Sequence, residues 1–80
     1  MVNKTRSVPM VFRVTDFGLD IFVMRNQMQL TCEDVGALVG IHGTTVSKYE
    51  RGTEANMHMG NFLGLCNLYD LDPRNYFELQ

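Results

Sequence analysis

Leu30-Thr31-Cys32-Glu33-Asp34-Val35-Gly36-Ala37-Leu38-Val39-Gly40-Ile41-His42-Gly43-Thr44-Thr45-Val46-Ser47-Lys48-Tyr49-Glu50-Arg51-Gly52 is the stretch that decides the fold. Thr31 is followed three residues later by Asp34, close to the spacing of a capping box at a helix start. Val35 and Val39 then recur at helical spacing, which predicts a short helix over about 32–39 with those residues inward. Gly40 marks the tight turn that ends it. A second short helix starts near Gly43 or Thr44 and ends near Tyr49, with Val46 and Tyr49 inward. Thr44, Thr45, Ser47 and Lys48 are left outside, and Gly52 stops the segment. Gly36 falls where the two helices cross closely, which favours a small residue.

On the N-terminal side, residues 1–15 read as an arm. Val8-Pro9-Met10-Val11-Phe12-Arg13-Val14 alternates and places Val8, Met10, Phe12 and Val14 on one face of an extended segment. Pro9 confines such a strand to an edge. Thr15 or Asp16 then caps a helix to about Gln29, with Phe17, Ile21 and Met24 as its core positions. Leu19, Phe22 and Val23 make that helix apolar nearly all round, so it needs a cover from its own chain or from a partner. On the C-terminal side, residues 53–56 form a loop. A fourth helix over about 57–69 carries Met59, Phe62, Leu63, Cys66 and Tyr69, and Gly60 and Gly64 mark close packing within it. Asp72-Pro73 opens a last short helix over 73–79 that offers Tyr76, Phe77 and Leu79.

Eighty residues make one domain, over 16–80 with the arm before it. The composition is 45% hydrophobic and 20% charged, ordinary for a globular chain. No apolar run approaches the roughly 20 residues that span a bilayer, and no long apolar leader opens the chain. Cys32 and Cys66 form no paired motif and read as reduced thiols, so a cytoplasmic protein is expected. With His42 and His58 they lack the close ligand pairs of a zinc site, so neither metal nor cofactor is expected. No nucleophile–base pair and no phosphate-cradling glycine loop is present, and the chain does not read as an enzyme. The net charge is −2, with residues 1–15 at +3, 16–39 at −3, 40–53 at +1 and 54–80 at −3. An acidic back and a mildly basic front follow, which implies weak non-specific binding to nucleic acid and a shallow salt dependence.

Two short helices around a tight turn make a helix-turn-helix over about 31–50, the arrangement that sets one exposed helix into the DNA major groove. From about Phe17 to Leu79 the chain resembles the lambda-repressor-like (Cro/CI, XRE) DNA-binding domains. The residues that carry the likeness are Phe17, Ile21 and Arg25, then Leu30-Thr31, Glu33-Asp34-Val35 and Val39-Gly40-Ile41. Thr45-Val46-Ser47-Lys48-Tyr49-Glu50-Arg51-Gly52, Leu65-Cys66 and Leu71-Asp72-Pro73 complete it. The resemblance implies an all-α fold of five helices, here with a short N-terminal extended arm or strand.

It also implies roles. Base reading falls on His42, Gly43, Thr44 and Lys48, and backbone contact on Thr31, Cys32, Thr45, Ser47 and Arg51. Arg25 and Glu50 become a structural ion pair between the first helix and the end of the third. Cys32 stands where Gln is usual, Gly43 removes a side chain from the reading helix, and the loop 53–56 lacks the usual basic residues. Thr44 or Thr45 touches DNA or merely caps the helix. Cys32 is a space-filling residue or a thiol switch. Lys4 and Arg6 follow a groove or belong to a frayed end. A homodimer is expected, through the strand (Met10, Phe12) or the C-terminal segment (Tyr76, Phe77, Leu79). The partner implied is double-stranded operator DNA, with no membrane and no small-molecule ligand. The expectation is a small phage or mobile-element repressor of the Cro type on a palindromic operator. The alternative is a protein-interaction module, an antirepressor or adaptor, docking through Phe22, Val23 and Leu38.

Overall fold

A computed structural model describes residues 10–54 and 56–79. In chain order these form β1 (Met10–Phe12), α1 (Val14–Gln27), α2 (Cys32–Val39), α3 (Gly43–Glu50), α4 (Met59–Tyr69), a 3₁₀ turn (Pro73–Tyr76) and β2 (Phe77–Leu79). β1 and β2 pair antiparallel, with Met10 opposite Leu79, Val11 opposite Glu78 and Phe12 opposite Phe77. The described residues thus hold four α-helices and a two-stranded sheet, not five helices.

The fifth helix fails for a tertiary reason. Asp72 caps only a 3₁₀ turn, by accepting from the Arg74 N–H at 2.9 Å. The Arg13 N–H then donates to the Tyr76 carbonyl at 2.7 Å, and Phe77 takes extended geometry. Phe77 and Leu79 fall on alternate positions, which suits a strand once β1 supplies its ladder. The strand expected over Val8–Val14 is described only from Met10, and Val14 already belongs to α1.

Helix boundaries moved for local reasons. α1 starts before Thr15 and has no side-chain cap. It stops two residues short of Gln29, because Gln29 is left-handed at φ 58° and Leu30 N–H bonds back to the Arg25 carbonyl at 3.1 Å. This is a Schellman closure without the glycine that usually signals it. α4 begins at Met59, where the His58 ring accepts from the Gly60 N–H at 3.1 Å. Gly60 is therefore exposed against its own cap, whereas at Gly64 a Cβ would stand 2.9 Å from Val39 Cγ1.

The core joins Phe17, Ile21, Val35, Val46, Tyr49, Phe62, Leu65, Cys66, Tyr69 and Tyr76. Phe12 and Phe77 of the sheet stack at 5.2 Å and meet Phe62 edge-on at 5.3 and 5.7 Å. Aromatic pairs of this kind add about 0.5–1.5 kcal/mol each beyond burial. The sheet therefore acts as a lid over the α1–α4 end of the core. It covers Phe17, but Leu19, Phe22 and Val23 stay exposed on α1.

Candidate nucleic-acid interface

α2 starts with a complete capping box. Thr31 Oγ1 accepts from the Asp34 N–H at 3.0 Å, and Asp34 Oδ2 accepts from the Thr31 N–H at 2.9 Å. These bonds hold the Asp34 carboxyl below its ordinary range. The box leaves the N–H groups of Cys32 and Glu33, at the start of α2, without a partner inside the helix. Such N–H groups suit a phosphate oxygen.

The turn into α3 is tight. Gly40 is left-handed at φ 87°, and both Gly40 and Ile41 donate to the Gly36 carbonyl, at 2.7 and 2.9 Å. A Cβ on Gly36 would run into the Ile41 carbonyl oxygen. This is the close approach expected of a small residue there, made first by the turn and then by the start of α3, whose Gly43 N would lie 3.1 Å from that Cβ. His42 caps α3 with extended backbone and no side-chain cap bond.

α3 buries Val46 and Tyr49. His42, Thr44, Lys48 and Arg51 are exposed, while Gly43, Thr45 and Ser47 are half-buried. Arg51 donates to Ser47 Oγ at 3.2 Å, one turn back on the same helix. Thr31, at the start of α2, is exposed as well, and the starts of α2 and α3 meet where Gly43 lies against Glu33. Cys32 departs from this set. Its side chain packs against the core, and desolvation pushes its thiol upward, which runs against a reactive thiolate at this helix start. Cys66 is buried, and its thiol is pushed up to about 11.

The far end of α3 is clamped to α1. Arg25 Nε meets Glu50 Oε2 at 2.7 Å and Nη2 meets Oε1 at 3.0 Å, while Nη1 donates to the Leu30 carbonyl at 2.9 Å. One guanidinium thus ties α1, the entry to α2 and the end of α3. The bond to Glu50 raises the Arg25 pKa above its ordinary value. Gly18 supports the same junction: a Cβ there would lie 2.6 Å from the Tyr49 carbonyl oxygen and 2.8 Å from that of Glu50. Asn61 of α4 donates to the Tyr49 hydroxyl at 3.0 Å. In the sequence Gly18 is only a glycine inside an apolar helix, and no local signal marks this packing role.

Lys4 and Arg6 lie outside the described residues. Met10 is exposed on β1, and Phe12 pairs with Phe77 within one chain. Leu79 pairs with Met10 in the ladder. Tyr76 is buried and donates its hydroxyl to Asp20 at 2.6 Å, so it offers no surface to a second copy. No group of His, Cys, Asp and Glu among the described residues could hold a metal ion. No described helix is long and apolar enough to cross a membrane.

A family model described as a helix-turn-helix domain matches residues 17–76. The chain belongs to the helix-turn-helix domain family. Among solved structures, this domain is 30% identical to the restriction-modification controller protein C.AhdI from Aeromonas hydrophila. That match covers 76% of this chain and 87% of the other, with a TM-score of 0.64. The P22 c2 repressor, solved with a synthetic operator, is 24% identical over 71% of this chain and 85% of its own, also at 0.64. Hydroxypropylphosphonic acid epoxidase from S. wedmorenis aligns at 0.67 with 16% identity over 79% of this chain. Only 33% of that enzyme is covered, so the likeness is one of fold. Among curated proteins, none matches the sequence.

Proposed function

We propose that this helix-turn-helix domain is a sequence-specific DNA-binding transcriptional regulator and not an enzyme. The observation that carries this is the arrangement of α2 and α3. A capped helix start whose first N–H groups have no partner within the helix sits beside a helix whose exposed side chains include His42, Thr44 and Lys48. In this reading α3 enters the major groove, Lys48 reaches a base edge, and Thr31 with the Cys32 N–H holds a phosphate. Thr45, Ser47 and Arg51 lie beside the backbone. The P22 c2 repressor, which shares this fold and was solved in complex with a synthetic operator, supports the same role.

The finer reading is a Cro-type repressor of phage or mobile-element origin. It acts as a homodimer on a palindromic operator with half-sites about one helical turn apart. Met10 and Val11, exposed on the sheet, are the first surface to consider for the dimer.

A second reading is favoured by one observation. Leu19, Phe22, Val23 and Leu38 are exposed on a domain of net charge −2, as in a protein-interaction module that keeps the fold without strong DNA binding. Selection from a pool of random duplexes separates the two. The proposed function requires enrichment of one palindromic site by the folded protein. No enrichment at either low or moderate salt would reject it and favour the interaction module.

A further inference from the structure

Gly43 leaves a gap at the start of α3, and the side chain of Glu33 occupies it. A Cβ built on Gly43 would lie 2.9 Å from Glu33 Oε2, 3.1 Å from its carboxyl carbon and 3.1 Å from its backbone N. The carboxylate therefore rests over the first residue of the exposed helix. Cys32, its neighbour in sequence, turns toward the core and does not compete for this place. Glu33 is exposed and takes part in none of the described hydrogen bonds or ion pairs. The positive end of α3 holds a carboxylate there favourably.

We infer that Glu33, though it stands on α2, is a specificity-determining residue of the α3 surface. The inference rests on the DNA-binding reading above. A carboxylate is acceptor-only. Beside His42 and Thr44 it accepts from an exocyclic amino group in the major groove, and the matching base edge is cytosine N4. Gly43 is part of this device, because any side chain there pushes the carboxylate away.

The experiment is the random-duplex selection run side by side with wild type, Glu33→Ala and Gly43→Ala, each first shown to be folded by its circular dichroism melt. Wild type is expected to prefer cytosine at one position of each half-site. Both variants are expected to lose that preference by roughly five- to tenfold, the low end of a specific base contact, and to keep the rest of the consensus. An unchanged Glu33→Ala consensus with affinity raised evenly over all sequences would overturn the inference alone, because the carboxylate would then only repel backbone. A folded wild type that enriches nothing would overturn the DNA-binding reading itself, and this inference with it.

Discussion

Glu50→Ala is the substitution that loads the α1–α3 junction most heavily. The Arg25 side chain is 14% exposed and that of Glu50 is 6% exposed, so water screens their pair little. Removing one partner of such a pair leaves a charge without compensation, at a cost of about 3–5 kcal/mol. Arg25 keeps its bond to the Leu30 carbonyl, which places the expectation at the low end, about 3 kcal/mol. A chain of this length holds roughly 4–12 kcal/mol in total, so the variant loses a quarter or more of its stability. At this size each kcal/mol moves the melting midpoint by about 4–8 °C, so a fall of about 12–24 °C is expected. The double variant Arg25→Met/Glu50→Leu removes both charges and fills the space, and should return to within about 1 kcal/mol of wild type. Urea unfolding followed by circular dichroism measures all three proteins. The bond to Glu50 raises the Arg25 pKa above its ordinary value, so the guanidinium's part of this stabilisation is lost on the alkaline side only as pH rises through that higher folded value. A Glu50→Ala loss under 1 kcal/mol, or one abolished by molar salt, would refute the reasoning, because it would mark a screened surface pair.

Three further outcomes follow from the same geometry. Tyr76→Phe deletes a 2.6 Å bond to the Asp20 carboxylate and should cost about 1.5–3 kcal/mol in urea unfolding. Tyr69→Phe should cost almost nothing in the same measurement, because the Tyr69 hydroxyl is buried without a partner among the described residues. The Asp34 carboxyl has its pKa lowered from 3.8 by its bonds to Thr31, so its contribution is present above that value and fades as pH falls through the lower folded value. Melting curves of wild type and Asp34→Ala should therefore converge as pH drops below 3.8, and a gap independent of pH would exclude the cap as its cause.

The α2–turn–α3 unit was legible because each of its signals is local. Thr31 and Asp34 cap within one turn, Gly40 and Gly52 take φ of 87° and 70°, and Val35, Val46 and Tyr49 keep the helical period. The Arg25–Glu50 pair came from the family resemblance, not from spacing. What was missed depends on partners far along the chain or on residues that conceal their backbone state. Gln29 and Asp70 end helices in the left-handed region, where a glycine would have signalled the stop. Phe77–Leu79 is a strand because Met10–Phe12 lies beside it, and a short aromatic segment takes whichever conformation its neighbours support. Within the site, Gly43 read as a lost contact. The Glu33 carboxylate above it depends on the angle between α2 and α3, which no single-helix pattern encodes.

Recognition by α3 is tested most directly by the affinity of the selected duplex and of its scrambled counterpart, measured for wild type and Lys48→Ala across a salt series. Wild type should bind the selected site at least about 10³-fold more tightly than the scrambled one. Lys48→Ala should narrow that ratio by about tenfold or more, as the loss of a base contact does. The salt slope of wild type should be shallow, because the exposed cations of this surface are few. Equal affinity for both duplexes, or a Lys48→Ala protein that discriminates as well as wild type, would contradict sequence recognition through α3.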